Sequence, residues 1–255
     1  MNKTGAIILA AGRGSRMKAK EFNKVTFMLG DKPMIMHIVH LLENLKIKPI
    51  VVVIGFAKAS VKSLFDKNVL FAEQKKRLGT AHAALQGLKV ISKDVRDIFI
   101  LNGDDSAFYT KEILSKLWKE HKKNNNAITF LTIKVKTPFG LGRIIRNKKG
   151  EVIAIFEEKD ASPKQRKIKE INPACYLFTR DFLNKYLSKT PKSRVTNEYY
   201  LVSLIALAIN NNEKVEGIKG GNIVWRGVNT GDELKEAEKL YSKIKRNFTS
   251  SRKFE

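Results

Sequence analysis

Short apolar runs alternate with stretches of helical spacing, and this alternation constrains the fold more than any other feature. Residues 6–9, Ala-Ile-Ile-Leu, read as a strand buried on both faces and ending in Ala-Ala-Gly. After Pro33, which suits a first helical turn, Ile35, Ile38, Val39, Leu42 and Leu45 repeat at helical intervals. Residues 51–54 form a second buried strand closed by Gly55. A helix starts near Gly79 and Thr80, and residues 98–101 form a third buried strand stopped by Asn102-Gly103-Asp104. The pattern predicts an α/β fold, a mostly parallel sheet with helices on both faces. Ligands in such sheets sit at the carboxyl ends of the strands. The loops after Leu9 and Leu101 are therefore the places to look for chemistry.

The second half changes character. Residues 127–134 read as a strand, and residues 143–146 and 152–156 flank Asn147-Lys148-Lys149-Gly150 as a hairpin. Residues 176–178 give another strand, residues 197–208 a helix, and residues 232–245 a last helix with Leu234, Ala237, Leu240, Tyr241 and Ile244 on one face. The remainder from Arg246 is polar and expected to fray. With no internal repeat and no Gly/Ser or Pro-rich linker, the chain reads as one domain over residues 1–246, followed by a polar tail.

Composition removes several function classes. The 255 residues, 43% of them hydrophobic, suffice for a substantial core. No apolar run is long enough to span a bilayer, and the N-terminal apolar stretch is too short for a signal peptide. A single cysteine, Cys175, excludes an internal disulfide framework, and no Cys/His cluster has zinc spacing, which together fit a cytoplasmic protein. The net charge of +24 invites a nucleic-acid reading. The lysines are nevertheless spread along the chain, and clustered patches such as residues 18–24 or 75–77 are the exception. A solvated basic surface, able to steer phosphate-bearing substrates, is the preferred explanation, and nucleic acid is not an expected partner.

The sharpest signal is LAAGRGSRM over residues 9–17, directly after the first strand. Small residues and glycines admit a phosphate or base close to the backbone, whose N–H groups face the ligand. Arg16 adds a fixed fork of donors for phosphate oxygens. The spacing is neither that of a dinucleotide fingerprint nor that of a P-loop.

This loop, followed by Lys24-Val25 and by Leu29-Gly30-Asp31-Lys32-Pro33-Met34, resembles the opening of sugar nucleotidyltransferases. The further resemblance is to the uridyltransferase half of the bifunctional N-acetylglucosamine-1-phosphate uridyltransferase/glucosamine-1-phosphate acetyltransferase family. Its later motifs follow in order: the element from Gln74 through Leu78-Gly79-Thr80 to His82-Ala83, Asn102-Gly103-Asp104, Gly140-Leu141-Gly142-Arg143-Ile144, Glu157-Glu158-Lys159-Asp160-Ala161, Glu170-Ile171-Asn172, Glu198-Tyr199-Tyr200 and Gly227-Val228-Asn229. The likeness runs over residues 5–241. It implies a Rossmann-like nucleotidyltransferase fold with a mostly parallel mixed sheet, and a reaction joining a nucleoside triphosphate to a sugar-1-phosphate with release of pyrophosphate. By the same resemblance Leu9, Ala10, Ala11, Gly12, Gly14, Gln74, Gly79 and Thr80 would bind the nucleotide, Gln74 reading uracil through both edges of its amide. Arg16 and Lys24 would hold the triphosphate as the catalytic pair, and Asp104 and Asn229 would ligate Mg²⁺. Gly142, Glu157 and Asn172 would surround the sugar.

Structural alternatives stand beside these roles. Gln74 has the alternative reading of a surface residue, Asp104 of a strand terminator, Glu157 of part of a solvated turn, and Asn172 and Asn229 of turn or cap residues. His82 reads as a packed helix histidine and Cys175 as a buried strand residue, while His37 and His40 lie on a helix without identifiable partners. The sequence also departs from the family pattern: Asn23 replaces a proline, Asn102 an aromatic, Asp105-Ser106-Ala107 a Val-Pro-Leu, and Pro173-Ala174 a Thr-Gly. Most of these departures lie on the sugar side, so another sugar or polyol phosphate, or dTTP or CTP in place of UTP, is the nearest rival. A catalytically silent basic regulatory protein is the rival from another class. No hexapeptide repeats occur, so acetyl transfer is not expected, and the oligomeric state is left open.

Overall fold

The computed structural model describes residues 1–17, 21–158, 160–221 and 223–251. Lys18 and Lys20 of the first basic cluster, Lys159, and the tail beyond residue 251 lie outside the described residues. The first half begins with β1 (Thr4–Ala10), a two-strand ribbon β2 (Met28–Leu29) and β3 (Lys32–Pro33), and α1 (Met34–Asn44). It continues with β4 (Ile50–Ile54), α2 (Lys58–Lys62), β5 (Leu70–Glu73), α3 (Thr80–Val90), β6 (Asp97–Asn102) and α4 (Lys111–Lys123). The second half holds β7 (Ile128–Lys134), β8 (Gly142–Arg146), β9 (Val152–Phe156), α5 (Pro163–Arg166), β10 (Glu170–Asn172) and β11 (Cys175–Thr179). It closes with α6 (Arg180–Tyr186), α7 (Ser203–Asn210), β12 (Val215–Lys219) and α8 (Gly231–Ser251).

One mixed sheet takes ten strands in the order β5-β4-β1-β6-β11-β7-β10-β8-β9, with β12 beside β7. Its first-half strands β5, β4, β1 and β6 are all parallel, with Ile8 opposite Val52 on one side and Leu101 on the other. β11 runs antiparallel between β6 and β7, and the β8–β9 hairpin extends the far edge. Alternation along β1 distributes its side chains to two cores. Ala6, Ile8 and Ala10 join Ile35, Ile38 and Leu42 of α1 and Leu114 and Leu117 of α4. Ile7 joins Ala84 and Leu88 of α3, Phe182 of α6 and Leu204 and Ile205 of α7 on the other face. Each large side chain so buried contributes about 1.5–3 kcal/mol. Helices therefore cover both faces, as the alternating pattern predicted.

Two boundaries differ from the sequence expectation. The helix expected over residues 197–208 starts only at Ser203, because the backbone before it is committed to tertiary hydrogen bonds. Tyr199 N–H donates to Leu78 O at 2.8 Å, Tyr199 O accepts from Ala81 N–H at 2.9 Å, and Leu201 N–H donates to Thr80 Oγ1 at 2.8 Å. The last helix, expected to end at Lys245, continues to Ser251. Cys175 is a buried strand residue, as read, and burial pushes its thiol pKa well up.

Candidate active site

Two cavities of about 560 and 900 Å³ lie side by side at the carboxyl ends of β1 and β6. Thr80, Asn102, Asp104 and Glu198 line both. The smaller is further lined by Leu9, Ala10, Ala11, Gly12 and Gly14 of the glycine loop, and by Lys24, Gln74 and Gly79. The larger takes Arg16, Gly142, Glu157, Asn172 and Asn229. Every residue assigned a site role from the sequence thus lines one of two confluent spaces. Arg16, expected beside Lys24, opens instead onto the larger cavity and is exposed.

At the junction, Lys24 Nζ makes an ion pair with Asp104, lies 2.9 Å from Asn229 Oδ1 and donates to Val228 O at 3.2 Å. The Val228 N–H in turn donates to Asp104 O at 3.3 Å, which docks the 227–229 segment on the β6 loop. A carboxylate and an amide oxygen therefore converge on one cationic centre. Among the described residues no group of three or more His, Cys, Asp or Glu gathers for a metal. Two hard oxygen donors are nonetheless the kind of set that Mg²⁺ uses when waters and substrate phosphates complete its octahedron.

Asp105, next in the chain, is buried and takes hydrogen bonds from Asn102 Nδ2 at 2.9 Å and Ser106 Oγ at 3.3 Å. Burial, reinforced by Asp104, pushes its carboxyl well above the usual range. On the far wall of the larger cavity, burial also raises Glu157, and Asp160 adds to the effect. Gly142 faces it closely: a Cβ there would lie 3.4 Å from Glu157 Oε1. Asn172 bonds Tyr176 Oη through Nδ2 and accepts the Ala174 N–H at 3.1 Å through Oδ1. Ala174 itself is left-handed, with φ +55°, at the position where the family pattern places glycine.

Gln74 departs from its expected role. It follows β5, is 5% exposed, and its Nε2 donates to Gly79 O at 3.0 Å and pairs with His82 Nδ1 at 3.0 Å. Its amino edge is thus spent inside the protein, and the amide offers the cavity one edge rather than two. Gly79 is a glycine for reasons of packing, since φ is +103° and a Cβ would collide with the Tyr199 backbone. Thr80 Oγ1 likewise serves Leu201 N–H.

Two residues escaped the sequence reading as site determinants. Asn23 is 0% exposed, and its Nδ2 donates to Ala10 O at 2.9 Å, Gly12 O at 3.1 Å and Phe56 O at 2.9 Å. Its Oδ1 accepts the Val25 N–H, and its own N–H donates to Ser60 Oγ. One amide thereby ties the glycine loop to the turn after β4. The signal available was the substitution of asparagine for the family's proline. Arg143, 1% exposed, donates to Leu141 O and Arg166 O and pairs with Glu158, which accepts the Gly140 N–H at 3.1 Å. It fixes the loop that enters β8 at the rim of the larger cavity.

The loop of small residues at the end of the first parallel strand, and a lysine shared by a carboxylate and an amide oxygen, meet where the two cavities join. A sequence profile of the family described as nucleotidyl transferase matches residues 5–244, and the chain belongs to this family of nucleotidyltransferases. It is 42% identical over 239 residues to the bifunctional protein GlmU of Caldicellulosiruptor saccharolyticus, covering 92% of this chain and 51% of the relative. With the bifunctional protein GlmU of Bacillus licheniformis it shares 34% over 248 residues, covering 97% and 54%. The chain therefore spans about half the length of these curated relatives. The crystal structure of a Bacillus anthracis protein assigned as a glucose-1-phosphate thymidylyltransferase superposes with a TM-score of 0.78 at 22% identity, over 93% of this chain and 94% of that one. That likeness establishes the fold. Among the described residues no helix is long and apolar enough to cross a membrane.

Proposed function

We propose that the chain transfers a uridylyl group from UTP to a sugar-1-phosphate, N-acetylglucosamine-1-phosphate in the first instance, giving a UDP-sugar and pyrophosphate. The observation that carries this reading is the junction of Lys24, Asp104 and Asn229 between a cavity walled by the glycine loop and a larger one. The sugar phosphate is already an anionic nucleophile, so no general base is required. One of its phosphate oxygens forms a bond to the α-phosphorus, the bond from that phosphorus to the α–β bridging oxygen breaks, and pyrophosphate carries away the electron pair. Lys24 neutralises charge on the triphosphate, and Arg16, reaching in from the larger cavity, suits the acceptor phosphate. Mg²⁺ held by Asp104 and Asn229 would supply further neutralisation when bound. Glu157, Asn172 and Gly142 are the contacts proposed for the sugar ring, within a single domain working in the cytoplasm.

A different acceptor, another sugar or polyol phosphate, is the second reading. Buried Asp105 and left-handed Ala174, both lining the larger cavity, favour it. The test is pyrophosphate release in the presence of Mg²⁺ across a grid of nucleoside triphosphates and sugar-1-phosphates. Turnover confined to UTP with N-acetylglucosamine-1-phosphate supports the first reading, and turnover with another acceptor moves the substrate while keeping the chemistry. No release with any pair, from folded protein that binds duplex DNA in a salt-sensitive way, would replace both with a silent basic scaffold.

A further inference from the structure

The histidine that reads from sequence as packing touches Gln74, the residue given the base-reading role above. Gln74 is anchored first through its backbone, whose N–H donates to Ile54 O at 2.8 Å. Its side-chain orientation is then fixed by chemistry. Gly79 O only accepts hydrogen bonds, so the amide end 3.0 Å away is the amino group. The second amino hydrogen meets His82 Nδ1 at 3.0 Å, and it needs a lone pair there. A lone pair on Nδ1 makes His82 neutral with its proton on Nε2, and the Gln86 amide, 3.3 Å from Nε2, then has to present its oxygen to that proton. Burial, with Lys89 acting in the same direction, lowers its pKa and favours that form. Neither anchor is free to drift: Gly79 is wedged against the Tyr199 backbone, and His82 lies in α3. Oε1 is what remains, and it accepts no hydrogen bond among the described residues, while Gln74 lines the smaller cavity.

We propose that His82 is a specificity-positioning residue: with the Gly79 carbonyl it locks the Gln74 amide so that only an acceptor faces the base, and the enzyme thereby selects ring N–H bases and rejects cytosine. Uracil and thymine carry a hydrogen on N3, which Oε1 can accept. Cytosine carries a lone pair at that position, and in the same register two acceptors would oppose each other. The inference rests on the nucleotide-site reading above and adds to it the polarity of the Gln74 edge and the residue that sets it.

The test compares wild type with His82→Leu, which removes the acceptor, and His82→Asn, whose Oδ1 can take the place of Nδ1. Two readouts serve: kcat/KM for UTP, dTTP and CTP by pyrophosphate release, and Kd for UTP and CTP by calorimetry. We expect wild type to favour UTP and dTTP over CTP. In His82→Leu only the Gly79 carbonyl still holds the amide, so turning its amino edge to cytosine costs one hydrogen bond instead of two; the preference falls about tenfold, and mainly in KM. His82→Asn should stay within about threefold of wild type. An unchanged UTP:CTP ratio in His82→Leu, or an equal loss in the leucine and asparagine variants, overturns the proposal. Should His82→Leu not fold, nitrogen NMR of the wild-type imidazole decides: a proton on Nδ1 at neutral pH overturns it, and a proton on Nε2 upholds it. Absence of turnover with every pair would sink the transferase reading, while the Kd ratios and the tautomer would still decide this one.

Discussion

Lys24 Nζ lies 2.9 Å from Asn229 Oδ1 across 205 residues of sequence, and the same ammonium pairs with Asp104. The relationship joins the loop after β1, the loop after β6 and the segment before α8 in one electrostatic unit. The lysine occupies the position from which both oxygens can be shared by a cation, so charge at this point is built into the protein before any substrate arrives. Three chain segments must therefore be in place together for the site to exist.

The first prediction tests that unit. Replacing Asp104 with Ala should lower turnover by about 10² to 10³, the range seen when one preorganised electrostatic contact is removed. Lys24 keeps Asn229 and the Val228 carbonyl, so the fold should survive. The measurement is pyrophosphate release against Mg²⁺ concentration, with circular dichroism as the control. Wild-type turnover at every Mg²⁺ concentration would remove Asp104 from the metal site.

Asn23 gives the second. Its buried amide meets three carbonyls, so Asn23→Ala should cost about 1–3 kcal/mol in a denaturant melt. Because two of those carbonyls, Ala10 and Gly12, belong to the glycine loop, KM for the nucleotide should rise more than kcat falls. A variant as stable as wild type would show that the loop holds its shape without this anchor.

Much of this was legible in the sequence. β1, β4 and β6 are apolar on both faces and bounded by glycine or asparagine, so length and pattern identified them. β5 and β12 were not found, because Leu-Phe-Ala-Glu and Val-Glu-Gly-Ile-Lys are half exposed and too short to show a period. The start of α7 was misplaced because hydrogen bonds to Leu78, Thr80 and Ala81 override local helical preference, and no local pattern reports them. Motif order located the site-lining residues, since loops at strand ends carry their chemistry in sequence. Asn23 and Arg143 did not reveal their functions, because a buried polar side chain and a solvated one look alike until the partners are known.

Gly79 supports a third prediction. With φ at +103° and the Tyr199 backbone against its α-carbon, Gly79→Ala should destabilise by more than about 1 kcal/mol. The displaced Tyr199 segment would also carry Thr80 and the Gln74 anchor with it, so UTP affinity should fall in the same variant. Thermal melting and calorimetry measure the two effects. An alanine variant of unchanged stability would mean that this turn can open without cost.

The last prediction concerns acid. Burial acts to raise the Asp97 pKa, but the His121 imidazole, 3.6 Å away, and the Lys122 ammonium outweigh it, and the net shift is downward from 3.8. Lys122 Nζ lies 2.9 Å from Asp97 Oδ2. Glu170 behaves alike: burial acts upward, yet Arg146, with Nη2 at 2.7 Å and Nε at 3.0 Å from Oε1, and Thr132 bring it below 4.5. A carboxyl whose folded pKa lies below its unfolded one stabilises the fold fully above the unfolded value, and that contribution is lost as pH falls through the folded value. Unfolding midpoints in urea should therefore hold down to about pH 5 and drop steeply toward about pH 3. In Asp97→Asn and Glu170→Gln the midpoint at neutral pH should be lower and the acid slope shallower, because the unfolded chain then has one proton fewer to gain. An acid slope unchanged by both substitutions would assign the acid sensitivity to other carboxylates.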